Sequence, residues 1–393
     1  MFKRMCNWCL NSVAIFALLT VTMTIPAAMG GDFVTSIEVR QEYNDNIFFA
    51  DDGNISDFIT TISPQVAFEE KNERLDAAIT AHLDTLIYLE NDQLNGIDQS
   101  YTGHWRIRVT PRFSFGIEGG YQIDTRSDRD VQETGIVLGT DRRTQQRLAA
   151  TADYSLSEKA AVNVGVNYRE DKFQDQSNSD YKTYAANILW MYNLSTYWPR
   201  TIGRAQFGHT RTEYVSTQVQ NYSIMLGLSW QMTELLTIIA DGGMRYTLST
   251  FDTVAIENEQ WGAVGQIELV YQGEVNRFSL VLSHDVTAAS GLSGSTERTG
   301  LSAYYRQRLS ERMWANLSGT YYLNKSKQRE FATNAIDNET YNLRARLRYA
   351  FTEDVALESG YTFSYNHDNE TGLDRTRNSI YLQIFLQYTH LSD

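Results

Sequence analysis

Long stretches of this chain alternate apolar and polar side chains with a period of two. In Asn221–Thr233, Tyr222, Ile224, Leu226, Leu228, Trp230 and Met232 share one parity, while Ser223, Gly227, Ser229 and Gln231 fall on the other. Near the C-terminus Ile380, Leu382, Ile384, Leu386 and Tyr388 alternate with Tyr381, Gln383, Phe385, Gln387 and Thr389. Successive side chains of a β-strand point to opposite faces, so each stretch is a strand with one greasy and one wet face. Eighteen such segments can be marked between residues 33 and 390. Short connections sit near Asn72, Pro111, Ser157, Trp198, Glu234, Glu274, Glu311 and Glu353, and longer polar ones at 44–56, 125–142, 252–260, 326–338 and 368–377. The short turns recur about every 40 residues, a repeat of hairpins within one domain.

Composition narrows the choice of sheet protein. The chain has 48 acidic against 34 basic residues, a formal charge of −14, which argues against a nucleic-acid binder. Twenty-four tyrosines and only four prolines suit strands rather than disorder. Both cysteines, Cys6 and Cys9, lie in the first thirty residues, so the rest of the chain has neither a disulfide framework nor a thiolate metal site. Those thirty residues hold Lys3 and Arg4, an apolar stretch from Val13 to Ile25, and Pro26-Ala27-Ala28-Met29-Gly30. That order predicts a secretory signal cut after Gly30, leaving residues 31–393 as one domain outside the cytoplasm. The apolar stretch is shorter than the ~20 residues a membrane helix needs, and no run of ~18 apolar residues follows it.

A soluble sandwich needs strands of only about 5–6 residues. These segments run about 11–14, the length that crosses a bilayer when tilted. Their apolar faces carry Tyr101, Tyr168, Tyr192, Trp230, Tyr271, Tyr349 and Tyr388 near strand ends, the pattern of interfacial aromatic girdles. The expected fold is therefore all-β: a transmembrane antiparallel up-and-down barrel of about 18 strands, with short periplasmic turns, longer extracellular loops and both termini on the turn side. Pro64, which cannot donate to a ladder, predicts a bulge within the second strand.

If the greasy parity faces lipid, the wet parity lines a lumen. It holds Glu38, Arg40, His82, Asp84, Arg106, Arg108, Glu118, Arg169, Arg306, Arg308, Arg344, Arg346, Arg348, Glu358, Tyr381, Gln383 and Phe385 among others. No segment of ~80–100 residues is left over for a plug domain, so side chains, or a loop folded inward, must narrow a bore of this strand number. Turn geometry predicts Arg348 opposite Glu358 and Arg106 opposite Glu118. Two readings follow: a wall of ion pairs bracing the lumen, or an electropositive track for an anionic solute or polymer, since basic rings favour anions. Tyr381 and Phe385 are either bulk filling or platforms for sugar rings.

Enzyme motifs are sparse. Gly-x-Ser-x-Gly and a phosphate-binding Gly-rich loop are lacking, and the histidines are scattered. His82 with Asp84, facing one side, and His284 with Asp285, facing opposite sides, are the local acid–base candidates. No enzymatic activity, cofactor or metal is expected.

The stretch Tyr43-Asn44-Asp45-Asn46-Ile47-Phe48, followed by Ser56-Asp57 and Ile62-Ser63-Pro64, resembles the opening of the β-barrel porin type 2 family of outer-membrane proteins. The resemblance implies an outer-membrane barrel, and for some members a conduit for exopolysaccharide beside a periplasmic polysaccharide-export protein. It transfers no catalytic or binding residue. The chain ends His390-Leu391-Ser392-Asp393 without a terminal Phe, so recognition by the barrel-assembly machinery must rest on Leu386, Tyr388 and their neighbours. The expected function is an outer-membrane channel for polar or charged solutes, with polymer export, general diffusion, and a structural or adhesive barrel acting through its loops as the alternatives.

Overall fold

The computed structural model describes residues 31–126, 128–137, 141–252 and 255–390. The expected signal segment, with Cys6 and Cys9, lies outside the described residues, as does the tail from Leu391 on. The strands are β1 (Asp32–Asn44), β2 (Asp57–Lys71), β3 (Leu75–Tyr88), β4 (Gly96–Thr110), β5 (Phe113–Asp124), β6 (Arg143–Ser155), β7 (Ala160–Phe173), β8 (Tyr181–Asn193) and β9 (Thr201–Tyr214). They continue as β10 (Thr217–Gln231), β11 (Leu236–Phe251), β12 (Ile256–Gln272), β13 (Asn276–Ala288), β14 (Ser295–Ser310), β15 (Met313–Ser326), β16 (Ile336–Ala350), β17 (Val355–Asp368) and β18 (Leu373–His390). Among the described residues a single turn of 3-10 helix (Asp92–Leu94) follows β3, and one short α-helix, α1 (Asp128–Glu133), sits between β5 and β6.

Each strand pairs antiparallel with its sequence neighbours, and β1 closes on β18 from Phe33↔His390 to Asn44↔Ser379, so the 18-stranded sheet has no open edge. Closure matters because a backbone amide facing hydrocarbon finds no water to bond. Following the register once around returns to β1 displaced by about 22 residues, which for this strand number sets a tilt of about 40° and a backbone diameter of about 36 Å.

The barrel is inside-out relative to a soluble protein. On the greasy parity Leu226 is 67% exposed and Leu382 51%, while on the wet parity Thr247, Ser364 and Asn366 are fully buried. This is the arrangement of a wall that meets lipid outside and polar groups inside. Aromatic rings gather in two outward belts. Toward the loop end, Tyr246 lies 6.4 Å from Tyr222 and 5.1 Å from Trp261. Tyr341 likewise stands between Tyr321 and Tyr365. Toward the turn end Trp198 meets Trp230, Trp190 meets Tyr192 and Tyr349 meets Phe351. On β12 the belts are marked by Trp261 and Tyr271, about 25 Å apart in height at that tilt, the thickness of a lipid-facing band.

The turn-side connections have a local cause. Ser157 Oγ accepts from Lys159 N and Ala160 N, Thr233 Oγ1 from Leu235 N and Leu236 N, and Thr352 Oγ1 from Asp354 N and Val355 N. A hydroxyl that bonds the backbone two and three residues on reverses the chain without glycine.

Three expectations need correction. Pro64 makes no bulge: β2 and β3 keep one register on either side of it, and the ladder only lapses between Ile62↔Thr85 and Gln65↔His82. The loops expected at 252–260, 326–338 and 368–377 are shorter, because β12, β16 and β18 begin at Ile256, Ile336 and Leu373. These strands rise above the lipid belt, where both faces are polar and alternation fades. Arg106 does not oppose Glu118. A bulge between Arg108 and Thr110 shifts the hairpin, so Arg106 faces Gly116 and His104 faces Glu118. Arg348 does oppose Glu358.

Candidate functional site

The β5–β6 connection folds into the bore and reaches the opposite wall. Tyr322 Oη donates to Gln132 O at 3.2 Å and Asn324 Nδ2 to Thr134 O at 3.0 Å, both from β15. Thr340 Oγ1 of β16 donates to Gly135 O, and Ser290 Oγ of the β13–β14 connection to Asp130 Oδ1. Gly135 has φ +73°, and a Cβ there would stand 2.6 Å from Tyr322 Cβ, so the turn needs glycine. Ile136 is buried with Ala289, Ala332 and Ile336. A charged node holds the near end. The fully buried Arg143 guanidinium lies 3.1 Å from Glu133, 3.3 Å from Asp124, 3.4 Å from Asp130 and 3.9 Å from Asp171. Arg129 pairs with Asp124 and Asp130, and Arg169 with Glu133 and Asp171. Burial would raise the Glu133 carboxyl, but Arg143 and then Arg169 beside it hold it below the usual glutamate range.

On the β7–β14 side the mouth is filled by other connections: Ser179 bridges Gly291, Gly294 bridges Ala332, and Phe331 is buried with Val219 and Val286. On the β1 side Asn44 to Ile47 of the Tyr43–Phe48 motif turn inward, while Tyr43 stays on the outer face beside Phe58. Asn46, fully buried, donates from Nδ2 to Ala50 O, Asn54 Oδ1 and Thr376 O, and Asp45 accepts from the backbone and side chain of Asn378. Ile47 then packs with Ile59, Leu86 and Tyr88 inside the rim.

Between this loop and the β5–β6 crossing lies a cavity of about 250 Å³. Arg40, Glu42 and Asn44 of β1, Arg344 and Arg346 of β16, Thr362 of β17, and Arg377, Ser379 and Tyr381 of β18 line it, together with Arg126 and Gln132 of the crossing loop. Among the described residues five arginines and one carboxylate, Glu42, line it, and Glu42 sits 3.1 Å from Arg126 and 3.6 Å from Arg40.

Of the residues singled out from the sequence, Arg344, Arg346, Arg348, Glu358, Tyr381, Gln383 and Phe385 come together on β16–β18. Arg40 joins them across the closing seam: its guanidinium lies 3.9 Å over the Tyr381 ring, and its Nε donates to Gln383 Oε1 at 2.9 Å. Tyr381 Oη donates to Glu358 at 2.8 Å. Arg348 lies 4.4 Å over Phe385. Tyr381 is therefore a buried brace with its ring face covered, not a platform for a sugar. Below the cavity, and sharing Arg346 with it, opens a turn-side vestibule lined by Arg306, Arg312, Arg348, Glu38, Glu311, Glu353, Asp354 and Glu358. Its charge is mixed. Arg106, Arg108, Arg308 and Glu118 do not line the cavity. Arg126, Arg377 and Glu42 were not singled out. Glu42 shares the parity of Glu38 and Arg40, and Arg377 that of Tyr381 and Gln383, so parity alone places both inside.

The His82–Asp84 pair faces the lumen at 3.0 Å, with Ser63 Oγ donating to the same Asp84. The carboxylate stands between hydroxyl and imidazole, the reverse of a nucleophile-activating order. His284 bonds Thr299 and Glu297 while Asp285 accepts from Asn221, so those two point apart.

A closed 18-strand barrel with a lipid-facing belt is a membrane barrel. No family model and no curated protein matches the chain. Among solved structures it is similar to OpdK of Pseudomonas aeruginosa with vanillate, at 12% identity and TM-score 0.48, over 91% of this chain and 99% of that one. It is also similar to OccK2 (OpdF) of the same organism, at 9% identity and TM-score 0.48, over 92% and 98%. The ferric citrate transporter FecA gives 9% and TM-score 0.45 over 88% and 60%. At such identities nothing about what this chain passes follows from theirs.

Proposed function

We propose that this chain is an outer-membrane channel that admits small anionic solutes. The observation that carries the reading is the cavity where, among the described residues, five arginines converge beside a loop that crosses the bore. A solute passing the crossing on this side meets several guanidinium groups, and basic constrictions favour anions. The outer membrane is the location because an even-stranded barrel of this kind, with short turns, termini together and two aromatic belts, is built for it.

Size argues for small solutes over a secreted polymer. A bare barrel of this strand number leaves an aqueous bore. Here the β5–β6, β7–β8, β13–β14 and β15–β16 connections meet inside it. Polysaccharide export would require several of these contacts to part, whereas small-solute passage leaves them in place. The test is reconstitution. Planar bilayers should show stepwise conductance, and proteoliposomes should take up small carboxylates or phosphates faster than neutral sugars of equal size. A barrel without conductance steps returns the question to an adhesive or structural role. Passage of long glycans through the unmodified barrel favours export.

A further inference from the structure

We propose that the seam between β12 and β13 is a lateral binding site for single-chain amphiphiles with an anionic head, the head entering the wall and the tail staying in the bilayer. The site needs the barrel and not the anion-channel reading, because it lies in the wall and is tested without conductance.

A ladder cut short is the first ground. β11 and β12 pair along sixteen positions and β13 and β14 along thirteen, yet β12 and β13 pair only from Gly265↔His284 to Gln272↔Arg277. From Ile256 to Val264, β12 has no ladder partner on that side. The lapse begins four residues short of Trp261, about 10 Å beneath the loop-end belt at the tilt of these strands. The neighbouring end has moved into the bore. Val286 packs with Val219 of β10 and with Phe331, Asp285 accepts from Asn221 of β10, and Ser295 Oγ lies 3.3 Å from Tyr214 Oη of β9. The ends of β13 and β14 thus pass behind β12, and two flaps of wall overlap with a slit between them. On its inner face β12 meets the β15–β16 connection through side chains: Gln260 Nε2 donates to Glu330 Oε1 at 2.7 Å and Asn258 Nδ2 to Arg329 O at 3.0 Å. At lipid depth an open sheet edge occurs only where it is buried in protein or lines a wet cavity.

Polar groups on the lipid parity are the second ground. His284 shares the parity of Leu282, and Glu297 that of Leu301, both of which are exposed on the outer face. Ionisable groups are costly there and mark a ligand path. Here they form a relay. His284 Nε2 lies 2.7 Å from Glu297 Oε1, and Glu297 Oε2 lies 3.2 Å from Arg245 Nη2. Arg245 is buried on the inner face of β11 under Gly262, where a Cβ would stand 2.6 Å from the same Nη2. Its Nε has no hydrogen-bond partner among the described residues. The relay therefore runs through the slit, and its outer members, His284 at 34% and Glu297 at 32% side-chain exposure, are reached from outside.

These groups choose the occupant. Glu297 is a carboxylate held between an imidazole and a guanidinium, and the head of a fatty acid or alkyl phosphate fits the same place, with Nε of the Arg245 fork as a further donor. The tail then lies against Trp261, Ile267 and Leu282, which face lipid. The chain's own Glu297 is the competitor that the head displaces.

The experiment uses the barrel reconstituted in phosphatidylcholine vesicles, with a diazirine-bearing palmitate as probe and the cross-linked residues read by mass spectrometry. The expected result is saturable labelling on either side of the seam, displaced by palmitate and not by hexadecanol. Arg245→Gln should weaken it about tenfold, the loss of one charge-assisted contact. Glu297→Gln removes the competitor and should strengthen it, an outcome that a merely structural relay does not give. Leu226→Ala, on the lipid face away from the seam, should leave it unchanged. Retained heat-modifiable mobility shows that each variant is folded, and if Arg245→Gln is not, Glu297→Gln decides alone. Labelling that spreads over the lipid face without saturation, hexadecanol competing as well as palmitate, or no strengthening in Glu297→Gln overturns the site. So does a co-purified polypeptide that shields the β12 edge from the probe. None of these results touches the channel reading, which conductance decides separately.

Discussion

Arg143 is the residue whose loss should open the crossing. Its guanidinium is fully buried among Asp124, Asp130, Glu133 and Asp171. Replacing it in Arg143→Met keeps side-chain bulk and strands buried carboxylates, a change that costs about 3–5 kcal/mol in comparable buried networks. The continuous ladder means that the barrel itself need not unfold to relieve that cost; residues 125–142 can leave the lumen and return the acids to water. What still holds the loop is the bonds donated by Tyr322, Asn324, Thr340 and Ser290, about 1 kcal/mol each net, and burial of Ile136, about 2 kcal/mol, with the remaining Arg126–Glu42, Arg129–Asp124 and Arg169–Glu133 pairs taken as offset by their own desolvation. A loss of 3–5 kcal/mol against about 6 brings the seated and released states within a few kcal/mol, a shift of roughly a hundredfold or more in their ratio. Single-channel recording should therefore show a second, larger conductance level and frequent transitions to it. A variant with the conductance and noise of the parent would refute the assignment of this loop as the constriction.

Other outcomes follow from the same contacts. Glu133 is held below its ordinary value of 4.5, so its bracing of the loop is complete above that pH and is lost as pH falls through the lower, folded value; gating noise should stay flat from pH 7 to about 5 and rise only in stronger acid. Leu226→Arg places a cation in the middle of the lipid band and should cost about 2–4 kcal/mol in reversible folding into vesicles, with unchanged stability arguing against lipid on that face. Asn46→Ala removes three donated bonds that hold residues 45–50 inward, and should make that stretch accessible to protease added outside while the barrel remains intact.

The barrel was legible because lipid imposes one rule on every strand: the side chain that meets hydrocarbon is apolar, so parity survives over ten or more residues. Arg344, Arg346, Tyr381 and Gln383 fell on the correct face for that reason alone. Where lipid ends, the rule ends. β12 and β18 continue past the aromatic belt with polar residues on both faces, and Arg377 hid in what reads as loop. Arg126 could not be placed by any period, since it reaches the cavity through the path of an irregular connection. Cross-strand partners depend on single-residue register. The four-residue turn at Glu353 preserved Arg348 opposite Glu358, whereas the bulge at Arg108 moved Arg106 past Glu118. The inward turn of Asn44–Ile47 rests on Asn46 and Asp45 bonding Thr376 and Asn378 at the other end of the chain, a contact invisible to local pattern.

The reversal potential of the reconstituted barrel under a potassium chloride gradient tests the central claim most directly. With guanidinium groups gathered beside the crossing, chloride should carry most of the current, and the double variant Arg344→Glu/Arg346→Glu should move the potential toward that of potassium. A parent barrel that prefers potassium, or a double variant with the parent's potential, would contradict it.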